Sequence, residues 1–344
     1  MITTEVRING RGNAWPVLIG QSHPMYSMNV AEDYANASFS LIRYEGEKPA
    51  ENKIRWEILI DAGHGIIPFL LKNNNRIPDA IVLTHPHFDH ILGIDWIIQS
   101  YYKTFDKKPF PVYATKPCWD DVLRILPHLH EMVDLAELSP GSLFSIQEAD
   151  DLSLRIFPVF HSQSAPGSSL LLFSVNNEKI IFTGDILTPL LTPDDYKFLH
   201  SSKYLFVDAN NRFPYPGTNH WSLTGQEDST SGVDFFSKWK EKINLRNLME
   251  PHYHYKNDLS GFFTKMEASL SWKELLEYSV FDFVKKIEPE TTIPVHYSGA
   301  EDKKYHDQEI LDDCQLQKWL NGQELKHDLP TRFHIAIPGE KLKI

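Results

Sequence analysis

Cysteine is nearly absent. The 344 residues hold two, Cys118 and Cys314, far apart in the chain. That excludes a disulfide framework and a Cys-x-x-Cys metal site, and it fits a reducing setting. Positive charge is short as well: 34 Lys and Arg face 46 Asp and Glu, a formal net charge of −12. A general nucleic-acid binder carries a basic face that displaces counterions, so long nucleic acid is not the expected partner. A small phosphorylated substrate stays open, because a local metal pair can supply positive charge. No apolar run reaches the length of a bilayer span, so no membrane partner is expected. Met1 to Val6 has neither the basic nor the apolar region of a secretory signal, and the expected location is cytoplasmic. There is no internal repeat and no low-complexity segment.

What is present is an ordinary globular composition, 42% hydrophobic and 23% charged. The length suits one large domain or two small ones. Strand-like and helix-like segments interleave throughout and no linker divides them. The expectation is therefore a single domain over residues 1–344.

Histidine is concentrated in one place. Leu83-Thr-His-Pro-His-Phe-Asp-His-Ile-Leu-Gly93 sets His85, His87, Asp89 and His90 within six residues. Three imidazoles and a carboxylate suit zinc and other borderline first-row metals. Upstream, Ala80 to Thr84 is apolar and β-branched, which predicts a buried strand. Downstream, Ile91 to Ile98 predicts a helix that runs to about Tyr102. The ligands thus sit on a strand-to-helix turn.

The rest of the chain alternates in the same way. Residues 4–8, 35–43 and 56–60 read as strands, and residues 66–73 as a helix or turn. Pro109 to Ala114 reads as a strand and Lys116 to His128 as a helix. From Leu138 the pattern turns to β. Leu152 to Phe157 leads into Val159-Phe-His-Ser162. Ser168 to Val175 and Lys179 to Thr183 form a hairpin about Asn176-Asn177 that ends in Gly184-Asp185. Lys203 to Asp208 is a further strand, and Asn219-His220-Trp-Ser222 opens a helix. Thr292 to Val295 is a strand before His296. A helix is expected from about Asp307 to Leu320, stopped near Asn321-Gly322, and a last strand over Arg332 to Ile337. His64, His128, His130 and His334 read as structural or surface histidines.

The His-x-His-x-Asp-His stretch resembles the signature of the metallo-β-lactamase-fold hydrolases. The opening Gly10-Arg-Gly12 turn and the His220-Trp-Ser222 element look like those of the ribonuclease Z-like phosphodiesterase branch. The resemblance implies an α/β fold, an αββα sandwich of two mixed β-sheets packed face to face with helices on the outer faces. It implies that His85, His87 and His161 bind one metal, that Asp89, His90 and His296 bind a second, and that Asp185 bridges them. Two divalent ions are expected, zinc by default, with manganese, nickel or iron also compatible. Asp61 would orient the metal loop from beneath.

About 75 residues by the numbering separate His220 from His296, more than the family pattern has. His252 and His254, in Asn247-Leu-Met-Glu-Pro-His252-Tyr-His254, therefore compete with His296 for the last ligand position. His296 lies in the better match, and residues 251–275 are taken as an insert rich in aromatics. The insert suits a lid, a dimer surface or core packing alike.

The implied chemistry is hydrolysis of a small or cyclic phosphodiester by a metal-bridging hydroxide. Asp89 would orient the hydroxide and His220 would act as general acid at the leaving oxygen. Redox-active relatives carry a carboxylate where His87 stands, so His87 argues for hydrolysis. The alternatives are a metal-dependent acyl hydrolase of a lactone, thioester or β-lactam, and a metal-stabilised accessory protein without turnover. A homodimer is compatible with the branch.

Overall fold

In the computed structural model, residues 2–27, 29–30, 33–48, 50, 53–162, 164–216, 218–225 and 278–344 are described. Runs rich in Ile, Val, Leu and Phe form the strands, as half-buried pleated surfaces favour such side chains. The first sheet contains β1 (Ile2–Gly10), β2 (Ser38–Glu45), β3 (Ile54–Ile60), β4 (Ala80–Val82), β5 (Phe110–Thr115), β6 (Val133–Leu138) and β15 (Lys341–Lys343). Their order is β15-β1-β2-β3-β4-β5-β6. β1 to β3 pair antiparallel, while β3 to β6 pair parallel. Parallel neighbours need crossovers. Here α1 (Ile66–Lys72), α2 (Phe88–Ile91) with α3 (Ile94–Thr104), and α4 (Lys116–Ile125) lie between successive strands.

The second sheet contains β7 (Leu143–Ser145), β8 (Ser153–Phe160), β9 (Ser169–Val175), β10 (Glu178–Phe182), β11 (Thr188–Pro189), β12 (Tyr204–Asp208), β13 (Thr291–Val295) and β14 (Arg332–Phe333). Its order is β11-β8-β9-β10-β12-β13-β14, with β7 paired to β8. β10, β12, β13 and β14 run parallel. Among the described residues, the helices after β11 are α5 (Pro193–Leu199), α6 (Val280–Ile287), α7 (Ala300–His306) and α8 (Asp313–His327).

Alternation along the strands builds the layers. Ile58 and Ile60 of β3 point inward with Phe39, Val82, Leu171, Phe182, Phe206 and Ile293, and together fill the space between the sheets. Leu59 points the other way and packs with Ile81, Ile94, Ile98 and Val122 under the first helical layer. Ile181, Leu205 and Val207 pack against Phe283, Val284, Leu316 and Leu320 under the second. Burying each such side chain contributes about 1.5–3 kcal/mol. The fold is the expected αββα sandwich.

Several local expectations are corrected. Residues 220–225 are irregular and carry a bridge from Ser222 to Asn211, so no helix opens at His220 itself. Helix α4 stops at Ile125, and a short 3-10 turn, Pro127–Glu131, takes His128 and His130. The last long helix begins at Asp313 and passes through Asn321-Gly322 to His327. Its buried Leu316 and Leu320 outweigh the roughly 1 kcal/mol that an interior glycine costs. The strand expected over Arg332 to Ile337 is two residues long. β6 and β15 were not anticipated. The insert at 251–275, with His252 and His254, lies outside the described residues. Both cysteines are free, Cys118 buried and Cys314 exposed. Among the described residues no helix is long and apolar enough to cross a membrane.

Candidate metal centre

Parallel strands end at one edge of a sheet, and loops leaving that edge can converge. Asp61 follows β3 and His85 follows β4 by three residues. His161 directly follows β8, and His296 follows β13; Asp185 comes three residues after β10, and Asp208 is the last residue of β12. The expected ligands meet there. His85, His87, His161 and Asp185 form one cluster, and Asp89, His90, Asp185 and His296 form another. In each cluster the candidate ligand atoms all lie within 4.8 Å of one another. Asp185 belongs to both, the position a bridging carboxylate needs. Its Oδ1 is 3.2 Å from His90 Nε2, and its Oδ2 is 3.4 Å from His296 Nε2 and 3.7 Å from His85 Nε2. Asp89 Oδ2 faces His296 Nε2 at 3.3 Å and His90 Nε2 at 3.5 Å.

Apart from His87, each clustered imidazole has an inner nitrogen toward these carboxylates and an outer nitrogen facing another group. Asp61 supports two of them, as anticipated. Its Oδ2 accepts from His90 Nδ1 at 2.8 Å and from the Thr84 hydroxyl at 2.7 Å; its Oδ1 accepts from the Thr84 amide at 2.8 Å. With its proton committed to Asp61, the Thr84 oxygen accepts from His85 Nδ1 at 3.0 Å. His161 Nδ1 donates to the Asn219 carbonyl at 2.8 Å. His296 Nδ1 lies 3.7 Å from Asp208 Oδ1 and 3.5 Å from Asn210 Nδ2. His87 turns Nδ1 toward His161 Nε2, 3.2 Å away, and Nε2 toward Ser164 Oγ at 3.0 Å.

The backbone bends to achieve this. Asp61 and His296 are left-handed, with φ of 54° and 68°. That region is unfavourable for non-glycine residues and persists where surrounding bonds impose it. The His296 amide donates to the Arg11 carbonyl at 2.7 Å, and the Asp61 amide to the Val82 carbonyl at 3.0 Å. Gly184 has φ 57°, and a Cβ there would meet the Thr84 side chain at 2.7 Å, so glycine lets Asp185 reach the centre.

Burial holds the His85 and His161 imidazoles well below their ordinary pKa, with their positive neighbours adding to the effect. His87 is lowered too, chiefly by burial. Neutral imidazoles offer the lone pair that a metal requires. Burial alone would raise Asp185, but His296, His90 and His85 hold it well below the carboxylate range. For Asp89, burial is likewise outweighed by His90 and the bond to His296, and the pKa is lowered. His85 Nε2 and His90 Nε2 are buried without a hydrogen-bond partner. Orphaned buried nitrogens are uncommon in folded proteins. Two of them aimed at carboxylates fit a site built for a divalent cation.

His220 stands beside the centre, its ring 4.8 Å from that of His161 and 4.9 Å from that of His296. Its Nδ1 donates to Asp208 Oδ2 at 2.8 Å. Burial would lower its pKa, but the Asp208 carboxylate prevails and pushes it up to about 9. Asp185, Asp208, His220 and His296 are close enough to form a third cluster. The short His220–Asp208 bond commits those two side chains to each other, so the pair is better suited to holding a proton than an ion. Asp208, Thr84, Asn210 and Ser164 were not singled out from the sequence. Asp208 alone had a signal: a carboxylate ending a β-branched strand, as Asp185 follows the strand before it.

Comparison with known proteins agrees with this architecture. Residues 56–234, just over half of the chain, match the Beta-lactamase superfamily domain. No curated protein matches the sequence. Among solved structures, a diphosphatase from the PhnP family superposes with a TM-score of 0.59 at 16% identity, covering 99% of this chain and 98% of that one. Zinc-bound PqqB from Methylobacterium extorquens gives 0.54 at 13% identity, covering 99% and 100%. The short form of human tRNase Z gives 0.50 at 13%, covering 98% of both. At such identities the likeness is one of fold.

Proposed function

Because the chain belongs to the beta-lactamase superfamily, we propose that it is a metal-dependent hydrolase of a small or cyclic phosphodiester. The observation that carries this reading is the placement of His220, hydrogen-bonded to Asp208 and set against the two histidine–carboxylate clusters. His85, His87, His161 and Asp185 would hold one divalent ion, and Asp89, His90, His296 and Asp185 the other. Two ions there would supply a water of lowered pKa and neutralise charge on the attacked phosphoryl group. The similar folds of a diphosphatase, a zinc-bound protein and a tRNase support zinc and a phosphorylated substrate.

The chain's own groups then have separate tasks. Asp89, at the mouth of the second cluster, orients the attacking water. As the new P–O bond forms and the ester P–O bond breaks, the departing alcohol oxygen needs a proton. His220 Nε2 donates it, since Nδ1 is committed to Asp208. The products are a phosphomonoester and an alcohol. Asp208 stabilises the imidazolium before transfer and fixes the ring's tautomer. An acyl substrate with a better leaving group would not need this acid.

The test is turnover of a generic aryl phosphodiester beside a lactone and a thioester, with a chelator control. Chelator-sensitive cleavage of the diester is expected. His220→Ala should then lower kcat on a diester with a poor leaving group by about 10²–10⁴-fold. Acyl cleavage without diester cleavage, unaffected by that substitution, would overturn the reading.

A further inference from the structure

The outer nitrogens of the five clustered histidines are not held alike. Three face buried side chains: His85 faces Thr84, His90 faces Asp61, and His296 faces Asp208 and Asn210; His161 faces a backbone group, the Asn219 carbonyl. Thr84, Asp61, Asp208 and Asn210 are all under one-tenth exposed. His87 differs. Its Nε2 meets the hydroxyl of Ser164, an exposed residue of the loop between β8 and β9.

That loop is anchored at its far end. The Ser169 amide donates to the Thr84 carbonyl at 2.9 Å, and Thr115 Oγ1 donates to the Gly167 carbonyl at 2.9 Å. Its near end is His161 itself. Ser164 therefore sits on a span fixed at both sides of the first cluster. A second hydroxyl, Ser162 Oγ, lies 2.9 Å from Ser164 Oγ.

We propose that Ser164 is the positioning residue for His87 and sets the affinity of the first metal site. It rests on the metal-centre reading above. An imidazole ligates through an unprotonated nitrogen, and the partner of the other nitrogen decides which one that is. Ser164 Oγ accepts the Nε2 proton of His87 and so leaves Nδ1 bare, facing His161 Nε2. Without the hydroxyl, Nε2–H has only solvent, the ring turns more freely, and the tautomer protonated on Nδ1 competes. One ligand of the first site then depends on a surface hydroxyl, whereas the second has only buried supports.

The experiment measures zinc binding to the full-length metal-free protein against a chromophoric chelator. Wild type, Ser164→Ala and Ser164→Thr are compared, with cobalt visible spectra recorded in parallel. Wild type should take up two ions. Ser164→Ala should weaken one of them by about 10–100-fold, the usual effect of losing a group behind a metal ligand. The other ion should be unchanged, and so should the thermal midpoint of the metal-free protein. Threonine keeps the hydroxyl and should restore both affinities. Two unchanged affinities in Ser164→Ala would overturn the proposal and leave the metal-centre reading standing. Equal weakening of both sites, or a lowered metal-free midpoint, would also overturn it, as a general structural role. A wild-type protein that binds no zinc or cobalt would overturn the proposal together with that reading.

Discussion

At the scale of the residue, the site is a set of nitrogen tautomers fixed by oxygen atoms. Asp61 is bonded to His90 and Thr84, and Thr84 to His85, so one carboxylate governs two candidate ligands. Asp208 does the same for His220 and lies close to His296. On the proposed mechanism, Asp208→Asn should lower diester turnover on the order of 10²-fold, because an amide would not stabilise an imidazolium acid at His220. Binding of two metal ions should be retained, which metal analysis of the same preparation checks. The candidate ligands that the fold brings together were legible in the sequence because a dense motif and its order along the chain mark them. The outer partners were not: a threonine, a backbone carbonyl and a lone strand-end carboxylate acquire meaning only when the chain brings them to a particular ring nitrogen.

At the scale of the element, strands with strong alternation and β-branched residues were legible, and so were the turns that carry the ligands. The failures share a physical cause. β6, Val133-Asp-Leu-Ala-Glu-Leu138, is an edge strand with only Leu138 fully buried, so its hydrophobic signal is weak. β15 is three residues long and exists through its pairing with β1. Helix α8 overruns a local stop signal because tertiary packing decides.

The loop after β12 is a further element that only the folded chain defines. Asp302, fully buried at the start of α7, accepts from the amides of Arg212 and Phe213 at 3.1 Å each and from Arg212 Nε at 2.9 Å. This ties α7 to the segment that also carries Asn210. Asp302→Ala would strand a buried guanidinium. It should lower stability by about 3–5 kcal/mol, measured as a shift of the urea midpoint at unchanged m-value.

At the scale of the whole molecule, two sheets share an apolar layer, and all the candidate ligands gather at one rim of it. That rim holds the buried carboxylates Asp89 and Asp185 and two orphaned nitrogens, His85 Nε2 and His90 Nε2. A bound cation would compensate them and stabilise the folded state alone. By mass action, metal present at a thousandfold excess over its Kd adds about 4 kcal/mol. Removing metal with a chelator should therefore lower the thermal midpoint, and zinc should restore it. A midpoint indifferent to both treatments would count against a metal site in the native fold. The alternation of β and α units was legible from the order of segments, and the αββα arrangement came from the family resemblance.

The spacing of the ligands along the chain also has a consequence for biosynthesis. A ribosome delivers His85, His87, Asp89 and His90 early, His161 and Asp185 near the middle, and His296 only after a further 111 residues. A nascent chain that has just released Asp185 already owns every group of the first cluster and lacks one from the second. The strand that sets His296 in place, β13, is made only after its neighbour β12, against which it pairs. On the proposed two-ion reading, loading would then be sequential, the first site filling while translation continues and the second once β13 has docked. A translation-arrested series assayed for bound zinc would show one step before His296 emerges and another after it.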